Sequence, residues 1–340
     1  MSLPVMGCDP HLDTVTAAVV DANGGELMVV TVPNTRPGWD QLVAACFDYQ
    51  VGVVGVEGAS GYGRCLSQTL TGAGLQVREI PTRLTAATRR VDGAGKSDPG
   101  DARTIARAAA RGEGSGWVDK PELETIRVLF NRRDMLVTTQ TADINQLRAL
   151  LVEVDPQAAA GLARLRSKSQ FLTLAETRFD GDIHRQTVAR LIRQVATDCA
   201  HRWEQIRSLE RDIKQAMPPA GTALTNIQGA GTIVAAQLLA ELAGSGGLDT
   251  PAKLAGWAGT APLDASSGRQ QRHRLNRGGN RGANRAIHTI VITQIQRGGK
   301  AADYVDRRTS EGKTRREAIR AAKRQITRHI WKILHAHDLT

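Results

Sequence analysis

The stretch Gly95-Lys96-Ser97-Asp98-Pro99-Gly100-Asp101-Ala102-Arg103 sets two carboxylates three residues apart at the start of a helix. It completes a set of four acids. Asp9 closes the apolar run Val5-Met6-Gly7-Cys8, and Glu57 closes Val51-Gly52-Val53-Val54-Gly55-Val56, so two expected strands each carry an acid at a C-terminal end. In open α/β sheets that edge is where ligands bind. Asp at an N-cap, Pro at N1 and an acid at N3 also make an ordinary helix start. The company separates the two readings: hard oxygen donors from two strands and a helix suit Mg²⁺ or Mn²⁺, and paired ions of this kind suit in-line attack at a phosphodiester. Gly95-Lys96-Ser97 also copies the end of a phosphate-binding P-loop, but that motif needs a glycine five residues earlier, where Arg90 stands, and no strand leads into it.

Around these acids the pattern from Val5 to Ile80 is strand-rich. Val5–Asp9, Thr14–Asp21 and Glu26–Val32 read as strands, and Asn23-Gly24-Gly25 between the last two is a hairpin signal. A helix over Trp39–Tyr49, the Val51–Glu57 strand, a helix opened by Gly58-Ala59-Ser60-Gly61-Tyr62-Gly63, and a strand over Leu75–Ile80 follow. A hairpin followed by βαβ units predicts a mixed sheet with helices on its faces. Ribonuclease H-like nucleases, actin-like ATPases and sugar kinases share such a sheet. The kinases and ATPases turn Gly, Ser or Thr around a phosphate after the first aspartate. Here Pro10-His11-Leu12 follows Asp9, and proline lacks the amide donor, which favours the nuclease branch.

The 340 residues, 41% of them hydrophobic, can build two or three cored domains. There is no run of eighteen apolar residues and no basic-then-apolar leader, so a cytoplasmic protein without a membrane partner is expected. Cys8, Cys46, Cys65 and Cys199 stand singly, at no metal-like spacing. The net charge of +11 is concentrated: from Asp264 to Thr340 there are eighteen Lys or Arg against six Asp or Glu. Such a surplus, largely arginine, points to a polyanion, most simply nucleic acid.

Between Pro121 and Pro218, apolar residues recur at helical spacing in long polar segments, as in Ile144, Leu147, Leu150 and Leu151. Either a coiled coil making a dimer contact or a bundle within one chain fits. Pro218-Pro219-Ala220-Gly221 reads as a linker. The turn Gly229-Ala230-Gly231, between a short helix and the apolar helix Val234–Leu242, resembles a helix-hairpin-helix element that holds a DNA backbone on main-chain N–H groups, although a plain tight turn has the same sequence. A loop from Thr260 to Gly268 contains Ser266 and Ser267 and runs into Arg269, Arg272, Arg274, Arg277 and Arg281, where guanidiniums would stabilise a phosphate under attack by a serine. Amphipathic helices over Ala283–Gln296 and from Thr314 to about His335, the second opened by the capping box Thr314-Arg315-Arg316-Glu317, close the chain.

Gly7-Cys8-Asp9, Glu57-Gly58-Ala59-Ser60-Gly61-Tyr62, the stretch Gly95 to Arg103, Ile227-Gln228-Gly229-Ala230-Gly231, and Gly259 through Pro262 and Ser267-Gly268 to Arg281 together resemble the bacterial insertion-sequence transposases of the one-ten type. The resemblance covers almost the whole chain. It implies a RuvC-like DEDD metal-binding domain over 1–120, a helical coiled-coil-like region over 121–218, and a mostly α-helical basic transposase domain over 219–340. It further implies Asp9, Glu57, Asp98 and Asp101 as metal ligands, and Ser267, five residues after Pro262 and before Gly268, as nucleophile, with Ser266 as the second choice. Donor and target DNA, a structured guide RNA from the element itself and a homo-oligomer are the implied partners. Pro10-His11 after Asp9 and Gly58-Ala59-Ser60 after Glu57 depart from the commoner family pattern without removing a ligand. The resulting expectation is a recombinase working through serine–DNA intermediates. A RuvC-like nuclease using water and a non-catalytic nucleic-acid-binding protein are the alternatives.

Overall fold

The computed structural model describes residues 3–82, 85, 97–161, 165, 167–261, 263–264, 273–274 and 278–340. It divides into two compact units. One joins Met1–Leu123 to Glu241–Thr340, and the other is Glu124–Ala240.

The first unit is built on a mixed sheet of seven strands: β1 (Val5–Pro10), β2 (Thr14–Val20), β3 (Glu26–Pro33), β4 (Val53–Glu57), β5 (Gln76–Ile80), β6 (Ser115–Val118) and β7 (Gly244–Gly246). Their order across the sheet is β3-β2-β1-β4-β5-β6-β7. β1, β2 and β3 form an antiparallel meander, β4 and β5 run parallel to β1, β6 pairs antiparallel with β5, and β7 pairs antiparallel with β6. The expected ribonuclease H-like mixed sheet with flanking helices is therefore present. Gly24, with φ of 82°, makes the β2–β3 turn, and Asp21 Oδ1 accepts from the amides of Asn23 and Gly25 at 2.8 Å each.

Alternation along the strands decides what each face meets. Met6, Cys8, Val54 and Val56 join a core with Leu42 and Cys46 of α1 (Arg36–Asp48) and Leu66 and Leu70 of α2 (Arg64–Gly72). Val5, Val20 and Ile80 instead pack on Ile105, Ala106 and Ala109 of α3 (Asp98–Ala110). Both faces are covered, which is why β1 reads as a continuous apolar run rather than an alternating one.

Two strands left no mark in the sequence. β6 has only four residues, too few to show a period, and β7 is Gly-Ser-Gly without strand propensity; pairing holds them. β7 brings the C-terminal part of the chain onto the edge of the N-terminal sheet. Lys120, buried just beyond β6, locks this return by donating to the carbonyls of Ser245 at 2.6 Å and Leu339 at 2.9 Å.

The second unit contains most of α4 (Pro121–Val154), together with α5 (Pro156–Gly161), α6 (Lys168–Glu176), α7 (Ile183–Gln215), α8 (Pro219–Leu224) and most of α9 (Thr232–Leu242). α4 and α7 run antiparallel within the chain, tied by Arg133–Glu210 at 2.8 Å and Arg202–Asp143 at 2.5 Å. Leu147, Leu151, Phe171, Ile192 and Cys199 fill the space among α4, α6 and α7.

Back in the first unit, α10 (Pro251–Trp257), α11 (Arg281–Arg297), α12 (Lys300–Ser310) and α13 (Arg315–His335) form the C-terminal bundle. The expected capping box of α13 is formed by Thr314 and Glu317. Among the described residues, no helix is long and apolar enough to cross a membrane.

Candidate active site

β1 and β4 run parallel with Cys8 opposite Val56, so Asp9 and Glu57, one residue further on, end adjacent strands at the same edge. By alternation both belong to the face covered by α3. Two glycines let that helix settle against the sheet. A Cβ on Gly7 would collide with the backbone of Ala102 and Ala106, and one on Gly55 would stand 2.8 Å from the Ala109 side chain. Polar ties fix the register of the helix: Arg103 pairs with Glu26, and Arg107 Nη2 donates to the Gly24 carbonyl at 3.1 Å. The first turn of α3, with Asp98 and Asp101, is thereby delivered to the strand ends.

The helix cap is Ser97, not Asp98. Ser97 Oγ accepts from the Gly100 amide at 3.3 Å, while Asp98 and Pro99 occupy the first two helical positions. This corrects the ordinary-cap reading of Asp98, because the N-terminal amide has another partner and the Asp98 carboxylate faces the strand end.

The other three acids act on Asp9. Burial pushes the Asp9 carboxyl above the usual carboxylate range, His11 pulls it down, and Glu57, Asp101 and Asp98 push it up. Asp9 and Asp101 are buried, and Asp98 is exposed. Bringing further negative charge to the buried Asp9 and Asp101 is costly unless a cation accompanies them. The donor set, oxygen-rich and drawn from three elements, fits a divalent ion.

Three residues at this edge were not among the expected site residues. His11, on the β1–β2 turn, places Nε2 3.5 Å from Asp9 Oδ2 and 3.7 Å from Asp98 Oδ1. The three side chains form a group able to hold a metal ion. Thr85 Oγ1 donates to Glu57 Oε2 at 2.8 Å. Glu79 on β5 is pushed up to about 7 by burial, and accepts hydrogen bonds from the amides of Ser60, Gly58 and Ala59, just past Glu57. The signal for His11 was its place two residues beyond a strand-end aspartate; Thr85 and Glu79 gave none.

Ser266, Ser267, Arg269, Arg272 and Arg277 are outside the described residues, and Arg274 is described by its backbone alone. β8 (Leu263–Asp264) pairs antiparallel with β9 (His273–Arg274). Thr260 and Thr327 hydroxyls meet at 2.8 Å, and the Asn280 amide donates to the Trp257 carbonyl at 2.6 Å. Arg281 opens α11 and is exposed. Gly229 takes a φ of 89° in the turn between α8 and α9, and Gly231 has open space around it.

Two family models match the chain. One, for DEDD transposases of the IS110 group and described as "Transposase", matches residues 6–156. The other, described as "Transposase IS116/IS110/IS902 family", matches residues 221–306. Among curated proteins, "Insertion element IS116 uncharacterized 44.8 kDa protein" of Streptomyces clavuligerus is 24% identical over 94% of this chain and 91% of its own length. "Transposase for insertion sequence element IS1111A" of Coxiella burnetii is 27% identical over 68% of this chain and 62% of its own. Among solved structures, "T. thermophilus RuvC in complex with Holliday junction substrate" is 15% identical with a TM-score of 0.28, covering 34% of this chain and 99% of RuvC. A likeness of that size adds nothing to what the strand order shows. The two matched segments contain all four acids and the serine loop, and the chain belongs to the IS110/IS116 family of insertion-sequence transposases.

Proposed function

We propose that this transposase cuts and rejoins the DNA of its own insertion sequence through a serine–DNA intermediate, with Asp9, Glu57, Asp98 and Asp101 holding Mg²⁺ or Mn²⁺. The observation that carries the reading is that Asp9, Glu57 and the first turn of α3 share one sheet edge, where Asp9, Asp98 and His11 form a group able to hold a metal ion, with Ser97 relieving Asp98 of the helix cap. When bound, the divalent ion supplies positive charge to the phosphate under attack. Ser267 supplies the attacking oxygen: its Oγ bonds to phosphorus as the bond from phosphorus to one sugar oxygen breaks, and that oxygen leaves with the proton the serine gives up. Rejoining reverses the step with a hydroxyl from another strand. Arg269, Arg272, Arg274, Arg277 and Arg281 hold the phosphates near the serine, and the Gly229–Gly231 turn offers amides to a nucleic-acid backbone.

The same reading takes donor and target DNA as substrates, an element-encoded structured RNA as guide, and a homo-oligomer as the working form. The domain limits 1–120, 121–218 and 219–340 remain its division of labour: metal chemistry, spacing, and nucleophile with nucleic-acid contacts. Single Ala replacements of the four acids test it. Each should abolish strand cleavage while leaving fold and nucleic-acid affinity in place. Metal-dependent nicking without a protein–DNA adduct would favour the water-using nuclease, and binding without cleavage the non-catalytic protein.

A further inference from the structure

We infer that His11 is a nitrogen donor to the divalent ion, so that this is a mixed nitrogen–oxygen site with a preference for Mn²⁺ over Mg²⁺ beyond that of an all-carboxylate site. The inference rests on the four-acid metal reading and goes beyond it in naming a fifth ligand and the consequence for metal choice.

The geometry is specific. Nε2 of His11 faces Asp9 Oδ2 at 3.5 Å and Asp98 Oδ1 at 3.7 Å. Two neighbouring ligands of one octahedral ion, each about 2.1 Å from it, stand about 3 Å apart. Small rotations of the half-exposed His11 and Asp98 side chains cover the difference. The backbone beneath the imidazole is held in place. The His11 amide donates to the Thr14 carbonyl at 2.8 Å, closing the β1–β2 turn, and Asn34 Nδ2 donates to the His11 carbonyl at 2.7 Å. Asn34 is itself oriented by Trp39, whose Nε1 donates to Asn34 Oδ1 at 2.8 Å. A chain of contacts from Trp39 through Asn34 thus fixes the backbone of the residue that meets the acids. The same contacts would serve a simple ion pair between imidazole and carboxylates, and metal binding distinguishes the two.

The chemistry sets the direction of the effect. Mg²⁺ takes oxygen ligands and gains little from imidazole, whereas Mn²⁺ accepts both oxygen and nitrogen. Removing His11 should therefore weaken Mn²⁺ more than Mg²⁺.

The test uses the full-length chain without nucleic acid, Mn²⁺ and Mg²⁺ as the probes, and three proteins: wild type, His11→Ala and Asp9→Asn, each checked for native circular dichroism. Calorimetric titration should show His11→Ala binding Mn²⁺ about tenfold more weakly, with a smaller loss for Mg²⁺. Pulsed electron paramagnetic resonance of bound Mn²⁺ should show coupling to an imidazole ¹⁴N in wild type and none in His11→Ala. Mn²⁺ binding that requires Asp9 but shows no ¹⁴N coupling, or the same coupling in His11→Ala, would overturn the role of His11 and leave the carboxylate site standing. An absence of Mn²⁺ binding in wild type, or binding indifferent to Asp9→Asn, would overturn the carboxylate site and this inference with it.

Discussion

At the residue scale, the division of labour between Ser97 and Asp98 makes a crossed prediction. Ser97→Ala removes the cap of α3 and should lower stability by about 1 kcal/mol, with cleavage retained. Asp98→Ala should abolish cleavage with little change in melting. Early melting of Asp98→Ala with activity intact would restore the capping reading. Glu79 gives a pH test. Its carboxyl keeps a proton up to about 7 in the folded protein, against an ordinary value of 4.5. Between those limits the folded chain binds more protons than the unfolded one, so this group's contribution to stability is full below 4.5 and is lost as pH rises towards 7. Glu79→Gln should therefore flatten the decline in stability from pH 5 to pH 7 by about 1–3 kcal/mol, measured by urea unfolding at both pH values. An unchanged pH dependence in Glu79→Gln would show that Glu79 does not hold the proton. Asp9 and Glu57 were legible in the sequence because each charge interrupts an apolar run at the point where the strand must end, which fixes its place at the sheet edge. His11 was read as a departure from a phosphate-binding turn and from the family pattern, since its place beside Asp98 depends on that turn folding back. Thr85 reaches Glu57 across 28 residues, a pairing no local pattern records.

At the element scale, the site depends on α3 lying close to β1. Gly7 permits this approach, because any Cβ there would run into the backbone of Ala102 and Ala106. Gly7→Ala should lift the helix, cost at least about 2 kcal/mol, and reduce divalent-metal binding even though every acid remains. Equal stability and metal affinity in Gly7→Ala and wild type would mean that the helix is positioned by other contacts. The helix itself was foreseeable from Ser-Asp-Pro at its start, and the hairpin from Asn-Gly-Gly. β6, β7 and α12 were not foreseen. The two strands are too short and glycine-rich to carry a period, and they exist because neighbouring backbones need partners. In the helical middle, the spacing of Leu147 and Leu151 revealed helices but not their partner. The structure pairs α4 with α7 through Arg133–Glu210 and Arg202–Asp143 inside one chain.

At the scale of the whole molecule, the chain returns on itself: residues from Glu241 onward share a compact unit with the N-terminal sheet. Sequence order suggested successive domains, and no local pattern could reveal that Gly244–Gly246 would become a seventh strand. Lys120 is the test of that return. Lys120→Ala leaves the Ser245 and Leu339 carbonyls without their donor and should cost about 2 kcal/mol, read as a lower urea midpoint. No change in the midpoint would mean that β7 is held by pairing alone. The basic C-terminal region calls for a different measurement. Replacing Arg269, Arg272, Arg274 and Arg277 together should weaken binding to duplex DNA and reduce the slope of log affinity against log salt by about 0.9 for each phosphate that is no longer neutralised. An unchanged slope would identify those arginines as solvated surface. The central claim joins the acids at the sheet edge to Ser267, and a single measurement bears on both: peptide mapping of protein–DNA adducts formed by the protein with divalent metal, RNA transcribed from the element's flanks, and DNA carrying the element's ends. The account predicts an adduct on Ser267 in wild type that is absent in Asp98→Ala, whereas wild-type cleavage without any adduct, or an adduct that forms equally in Asp98→Ala, would contradict it.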